Sequence, residues 1–147
     1  MEVVAKAHTY EVKLKWDHET DSGIARSGDR MPLIFGLPPE FGGSENTWSP
    51  EHLLAASVAS CYSTTFLHFA RLLKIDVTDF RISAKVDFEK GTAGFVATRI
   101  VLRPVVELHH NPGQYVLDNL FAKARKYCFV SNSLKSELVV EPHVRQE

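Results

Sequence analysis

The chain contains two cysteines, Cys61 and Cys128, and these are the residues whose chemistry stands out. Two cysteines cannot build the disulfide framework of a small secreted domain, and the first residues show no long apolar stretch. We therefore expect a cytoplasmic protein in a reducing environment. There, a thiol pair is either an inert part of the core or a redox site. The scattered histidines do not complete a zinc pattern, so no metal and no bound cofactor are expected.

A reactive Cys61 must ionise, because the thiolate is the nucleophile and a free thiol has a pKa of about 8.5. The helix dipole gives little help in the middle of a helix, where Cys61 is predicted to lie. A nearby arginine is the obvious activator, and Glu51 can orient it through a bidentate pair. Glu51 lies ten positions before Cys61, a rise of about 15 Å along one helix, so these two side chains cannot meet within one chain.

A second copy of the chain resolves this separation. Two antiparallel helices related by a two-fold axis near Ala56 place Glu51 of one chain beside Cys61 of the other. Residues 55–60, AASVAS, are mostly small and allow a close approach of two backbones. We therefore expect a homodimer with composite sites. The alternative is that Glu51 only complements the positive end of the helix dipole.

Capping signals and hydrophobic periodicity predict the elements that position these residues. Ser49 as N-cap and Pro50 as first residue predict a helix from Pro50 to about Leu73. Asn111 as N-cap and Pro112 as first residue predict a second helix that ends near Cys128. The predicted strands cover residues 8–16, Ile24–Ser27, Pro32–Phe35, Val77–Phe88, Phe95–Leu108 and Ser136–His143.

Two apolar faces are expected to pack. The first strand alternates in a way typical of a half-buried strand, and the first helix carries an apolar stripe. The members of these faces are Tyr10, Val12, Leu14 and Trp16 on the strand, and Leu53, Leu54, Val58, Cys61 and Thr65 on the helix. The hairpin-like break at residues 89–94 favours an α+β fold with a mostly antiparallel sheet. The length of 147 residues suits a single domain over residues 1–147.

Charge and composition exclude several classes of partner. Lysine and arginine number 17 and aspartate and glutamate 18, so the net charge of −1 and the lack of a basic run argue against nucleic acid. The chain has no uninterrupted run of about 18 apolar residues, so no membrane span is expected.

Two separated motifs resemble those of the OsmC/Ohr family, the osmotically inducible and organic hydroperoxide resistance proteins. Residues 47–62, TWSPEHLLAASVASCY, resemble the family segment N-P-E-x-L-x-x-A-x-x-x-C. Residues 127–134, YCFVSNSL, resemble the second motif, C-P-x-S-x-x-L. Each motif carries one of the cysteines, and the order of the elements matches along nearly the whole chain.

The resemblance implies a thiol peroxidase acting in oxidative-stress defence on organic hydroperoxides, and possibly hydrogen peroxide. By motif position, Cys61 attacks the peroxide and becomes a sulfenic acid, and Cys128 resolves it to a disulfide. A dithiol such as dihydrolipoamide, or a dithiol reductant protein, then reduces the pair. Glu51 stands at the family position whose side chain binds and orients the catalytic arginine. The family also implies an intertwined homodimer with two long helices surrounded by sheets.

The sequence departs from the family at two points. Phe129 stands where the family often has proline. Residues 20–25, TDSGIA, correspond to the segment that carries the family's arginine but contain none, so Arg26 and Arg30 are the candidate substitutes.

Aromatic residues near the motifs suit an apolar pocket for alkyl peroxides, although core packing explains each of them equally well. They are Phe41, Trp48, Tyr62, Phe66 and Phe129. The missing arginine supports an alternative function on the same scaffold, that of a small-molecule or lipid-binding protein without peroxidase activity.

Overall fold

The computed structural model describes residues 7–146 and confirms the α+β class. Its strands are β1 Lys13–Asp17, β2 Ser22–Arg26, β3 Leu33–Phe35, β4 Val77–Gly91, β5 Gly94–Leu108, β6 Glu137–Val140 and β7 His143–Gln146. Its helices are α1 Pro50–Leu72, α2 Gln114–Lys126 and α3 Phe129–Asn132, with a 3₁₀ turn at Pro39–Phe41. The chain forms two compact units that divide between His52 and Leu53.

The first unit is built on the antiparallel sheet β1-β2-β3. Trp16, Gly23 and Phe35 lie opposite one another across the three strands. A Cβ atom at Gly23 would overlap the Phe35 ring, so this position requires glycine. Pairing of the first strand begins only at Lys13.

The predicted half-burial of the first strand is wrong within this chain. All five residues of β1 are exposed, and Tyr10, just before the strand, is 82% exposed. The alternation of apolar residues is present, but within the described part of this unit the face stays open except at Trp16, whose ring lies 6.2 Å from that of Phe35. An exposed apolar strand face of this kind is typical of a surface that binds a partner.

The start of α1 follows the predicted cap. The backbone N–H of His52 donates to Ser49 Oγ at 3.2 Å, and Pro50 is the first helical residue. The helix ends at Leu72, and Lys74 then adopts a left-handed conformation with φ of 56°. By length and composition alone α1 could cross a membrane, but the core helix of a globular protein passes the same test.

The buried stripe of α1 differs from the predicted one. Its fully buried residues repeat every four positions, and they are Val58, Tyr62, Phe66 and Ala70. Leu53, Leu54, Cys61 and Thr65 are half-buried instead. The interval of four places Cys61 at the edge of the stripe, where it contacts the core and keeps some access to solvent.

The second unit contains a sheet centred on β5. β4 and β5 form a long antiparallel hairpin that closes at the pair Gly91 and Gly94, a tighter turn than the predicted break. The predicted final strand, Ser136–His143, is wrong as a single strand, because Pro142 has no N–H to donate and separates β6 from β7. Both short strands pair with β5 in parallel. The two sheets together remain mostly antiparallel, as predicted.

The hydrophobic core of this unit lies between that sheet and the helices α1 and α2. One face of β5 supplies Ile100, Leu102, Val106 and Leu108, and α2 supplies Leu117, Leu120 and Ala124. The Phe66 ring lies 5.1 Å from the ring centroids of both Phe80 and Phe121, so it joins α1 to β4 and α2.

The predicted cap of the second helix is wrong by two residues. Asn111 Oδ1 accepts the Gly113 N–H at 2.9 Å in a turn before the helix, and Gly113 has a φ of 99° that does not belong to a helix. The helix therefore begins at Gln114. The short helix α3, directly after Cys128, was not predicted.

Truncation of Phe66 tests this core. We expect Phe66→Ala to lower the free energy of unfolding by about 3–5 kcal/mol, because it removes a fully buried ring with two aromatic neighbours. Urea unfolding followed by circular dichroism measures the loss. Tyr115→Ala, which truncates an aromatic residue that is 85% exposed, is the control and should change stability by about 0.5 kcal/mol or less. Similar small losses in both variants would contradict the assignment of the core.

Candidate active site

The two cysteines, distant in the sequence, lie together in the second unit. Cys61 is half-buried in the middle of α1, and Cys128 is fully buried just after α2. Both thiols are free, they interact as hydrogen-bonding neighbours, and both pack into the same hydrophobic core. Two thiols that interact directly need only a small rearrangement to form a disulfide.

The junction of α2 and α3 fixes the backbone at Cys128. The Tyr127 N–H donates to the Lys123 carbonyl and closes α2, and Cys128 then adopts an extended conformation. Asn132 holds both sides of the junction, because its side-chain amide donates to the Lys126 carbonyl at 2.8 Å and its N–H donates to the Cys128 carbonyl at 3.1 Å. The buried thiol therefore projects from a well-defined backbone.

Hydroxyl groups on the next turn of α1 fold back onto the helix around Cys61. Thr65 Oγ1 donates to the Cys61 carbonyl at 2.7 Å, and Ser63 Oγ donates to the Ala59 carbonyl at 2.7 Å. These bonds satisfy polar side chains within the helix itself. These hydroxyls therefore stay hydrogen-bonded even if another molecule buries the surface of α1 beside the cysteine pair.

The surroundings of Cys128 keep its thiol protonated. Burial raises the pKa of Cys128, and the neighbouring Cys61 raises it further, while the hydroxyl and backbone N–H of Ser131 lower it. As the N-cap residue of α3, Cys128 forms no regular capping hydrogen bond through its sulfur. Ser131 also has a single hydroxyl proton, which it donates to the Cys128 carbonyl at 3.3 Å. Burial therefore dominates, and the net pKa of Cys128 is raised.

Two buried polar atoms have no hydrogen-bond partner among residues 7–146. They are the hydroxyl oxygen of Tyr62 and Oε2 of Glu51. A buried polar atom without a partner costs about 1–3 kcal/mol, so each calls for an explanation. Tyr62 follows Cys61 in the chain and belongs to the second unit, whereas Glu51 lies in the first turn of α1 and belongs to the first unit.

The structure brings together only the two cysteines of the four predicted site residues. Arg26 is the exposed last residue of β2, where it lines a groove of about 790 Å³ with Trp16 and His18. Arg30 is also exposed, in the turn that follows β2. Arg26 does not pair with Glu51 Oε2 within this chain. The cation that would activate Cys61 stays a prediction.

A second groove, of about 350 Å³, begins one helical turn beyond Cys61. It lies between α1 and the junction of α2 and α3, and it is lined by Thr64, Thr65, His68, Phe69, Tyr127 and Phe129. Of the five aromatic residues suggested for an apolar pocket, only Phe129 lies here. Tyr62 and Phe66 are in the core, and Phe41 and Trp48 are exposed residues of the first unit.

Several neighbours of the cysteine pair were missed from the sequence. Thr64 and His68 lie three and seven positions after Cys61, a helical spacing that predicts a shared face. Ser131 lies three positions after Cys128, which is an N3 position if a helix starts there. No comparable signal points to the buried hydroxyl of Tyr62, because an aromatic residue at that spacing indicates core.

Comparisons with known proteins agree with this arrangement. The model of the family described as "OsmC-like protein" matches residues 42–143. Peroxiredoxin OsmC of Escherichia coli (strain K12) is 30% identical over 124 residues, which cover 83% of this chain and 80% of that protein.

Solved structures of similar proteins show the same fold. An OsmC-like protein of unknown function from Vibrio cholerae superposes with a TM-score of 0.83 at 21% identity and covers 92% of this chain and 99% of its own. An organic hydroperoxide resistance protein from Elizabethkingia anophelis has a TM-score of 0.75 at 19% identity, with coverage of 98% and 100%. The fold is therefore OsmC-like.

The two thiols should differ in reactivity. In the reduced protein at neutral pH, we expect a short pulse of an alkylating agent to label Cys61 well before Cys128, because Cys128 is buried and its pKa is raised. Labelling of Cys128 should accelerate only as the pH rises above the usual range of thiols. Mass spectrometry of the two peptides measures both rates, and labelling in urea is the control. Equal rates in the folded protein would contradict the assignment.

Proposed function

Because the chain belongs to the OsmC-like protein family, we propose that it is a cysteine-based peroxidase that reduces organic hydroperoxides. Membership in this family supports a peroxiredoxin-like role in general. One observation carries the more specific proposal: a half-buried Cys61 thiol beside a fully buried, protonated Cys128 thiol. That pair has the components of a two-cysteine redox cycle, in which one thiol reacts with the peroxide and the other reacts with the sulfenic acid that forms.

The cycle balances with these two residues and an external dithiol. The Cys61 thiolate attacks the terminal oxygen of the hydroperoxide, the O–O bond breaks, and the alcohol leaves with a proton. The thiol of Cys128 then displaces hydroxide from the Cys61 sulfenic acid, which forms the disulfide and releases water. A dithiol such as dihydrolipoamide, free or on a protein, returns two electrons and two protons. No step requires a bound cofactor.

Access and ionisation assign the two roles. Cys61 keeps partial exposure at the edge of the buried stripe, so a peroxide can approach its sulfur. Cys128 has no exposed surface, and its raised pKa keeps it as a thiol until the sulfenic acid forms beside it. These differences support Cys61 as the peroxidatic residue and Cys128 as the resolving residue.

The groove beyond Cys61 suits the organic part of a hydroperoxide. Its walls combine the rings of Phe69, Tyr127 and Phe129 with the hydroxyls of Thr64 and Thr65. An apolar wall with a few polar groups is typical of small-molecule sites. Phe129 is 65% exposed and directly follows the resolving cysteine, so an alkyl or aryl tail in the groove would contact it.

A homodimer would complete the site with a cation. Glu51 Oε2 is buried without a partner among residues 7–146, and a guanidinium group would satisfy it. Arg26 and Arg30 are the candidate donors. The exposed apolar face before and within β1, including Tyr10 and Leu14, supports association with a second copy in the cytoplasm.

Serine variants of the cysteines test the cycle. With cumene hydroperoxide and dihydrolipoamide, Cys61→Ser should lower peroxide consumption by more than about a hundredfold, because the nucleophile is lost. Cys128→Ser should consume about one equivalent of peroxide and then stall as a sulfenic acid, which mass spectrometry detects.

The control variant Ala122→Ser, at an exposed position on α2, adds a hydroxyl and should keep full activity. Wild-type activity in Cys61→Ser would end the proposal. Alkylation of Cys61 no faster than that of a free thiol would favour the alternative, a binding protein on the same scaffold.

Composite sites across a dimer predict complementation. Glu51→Gln and Cys61→Ser should each be inactive alone. After co-expression, mixed dimers would carry one intact site, with Glu51 from one chain and Cys61 from the other, so activity should return to about a quarter of wild type. Light scattering at micromolar concentration establishes the dimer first. A monomer, or a mixture that stays inactive although mixed dimers form, would refute the composite site.

A further inference from the structure

The hydroxyl of Tyr62 is an unexplained polar group in the core. The side chain has 0% of its surface exposed, and its hydroxyl oxygen has no hydrogen-bond partner among residues 7–146. The ring fills its place in the buried stripe of α1, and phenylalanine would fill the same space without the polar atom. The hydroxyl therefore costs stability in the reduced state. Its presence is explained if it serves another state of the protein.

The Cys128 thiol lies within electrostatic range of this hydroxyl, although the two groups form no hydrogen bond in the reduced protein. Tyr62 and Cys128 pack in the same core, and the hydroxyl interacts electrostatically with Cys128 and with Arg125 of α2. Burial raises the pKa of Tyr62, the Arg125 guanidinium offsets part of this rise, and the Cys128 thiolate adds to it. Ionisation of Cys128 thus makes the phenol hold its proton more firmly, so Tyr62 stays a donor when a thiolate forms.

We infer that the Tyr62 hydroxyl donates a hydrogen bond to the Cys128 thiolate that is released when the Cys61–Cys128 disulfide is reduced. This inference rests on the proposed peroxidase cycle. The incoming dithiol attacks Cys61, the more accessible sulfur, as a thiolate. A new S–S bond forms to Cys61 as the protein disulfide breaks, and the electron pair of that bond goes to the Cys128 sulfur.

The leaving thiolate needs a donor because it is released into the core. A buried charge without hydrogen bonds is costly, and the pKa of the leaving thiol controls how fast it departs. The Ser131 backbone N–H is one donor toward the sulfur, while the single hydroxyl proton of Ser131 is donated to the Cys128 carbonyl. The Tyr62 O–H is the second donor. A hydrogen bond to a charged group accounts for a change of about tenfold or more in a rate or equilibrium constant.

Tyr62→Phe separates this function from packing. The variant should form the Cys61 sulfenic acid and the disulfide, because neither product needs the thiolate donor. Reduction of the disulfide by dithiothreitol should slow by about tenfold at neutral pH. The reduction potential should stay unchanged, because Cys128 is a thiol in the resting reduced protein and its thiolate is only transient. Thermal stability of the reduced protein should stay equal or rise, because an unpaired buried hydroxyl is removed.

Stopped-flow reduction, a dithiothreitol redox titration and thermal unfolding measure these three quantities. Tyr115→Phe removes a tyrosine hydroxyl from an exposed position and should match wild type in all of them. An unchanged rate of reduction in Tyr62→Phe overturns the inference while the peroxidase cycle stands. A loss of stability that slows every step equally also overturns it, because the role is then structural. If wild type forms no Cys61–Cys128 disulfide with peroxide, the proposed function itself fails and this inference fails with it.

Discussion

The contact between the Cys61 and Cys128 thiols depends on how the buried stripe of α1 packs in the second unit. The stripe repeats every four residues through Tyr62 and Phe66, so Cys61 falls at its edge and not at its centre. The Cys61 thiol is therefore partly accessible to solvent, and the Cys128 thiol is fully buried. A shift of the stripe by one residue would bury both sulfurs or separate them, because a single residue turns a helix by about 100°.

Aromatic packing holds the second cysteine in its place. Phe66 contacts the rings of Phe80 and Phe121, which fixes α1 against β4 and α2. Farther along α1, the ring of Phe69 stacks at 5.3 Å from that of Tyr127 and lies beneath the Lys123 ammonium group. Since Tyr127 directly precedes Cys128, these contacts anchor the chain beside the buried thiol. The reacting groups thus stand on rigid elements, as an efficient site requires.

Local signals in the sequence predicted the elements whose ends are set by local chemistry. Ser49 caps α1 through a bond to a backbone N–H three residues later, and the β4–β5 hairpin follows from alternation of apolar residues. The errors arose where tertiary structure decides. The last strand is divided at Pro142, which has no N–H to donate, although β5 pairs with both parts. The buried face of α1 was decided by its neighbours, not by its composition. The cysteines were recognisable as a pair from their motifs, but nothing local indicated Tyr62.

The unpaired hydroxyl of Tyr62 and the unpaired Oε2 of Glu51 lead to one physical argument. Phenylalanine would remove the hydroxyl of Tyr62 and an apolar residue would remove the carboxylate of Glu51, and folding of a single reduced chain gives no reason to keep either polar atom. We therefore propose that their partners belong to another state: a thiolate at Cys128 for Tyr62, and a cation from a second copy for Glu51. Where sequence and structure disagree on local stability, the disagreement marks groups that become satisfied only during function. Glu51 and Tyr62 both belong to α1, so the helix that carries Cys61 also carries the two polar atoms that the proposed reaction would use.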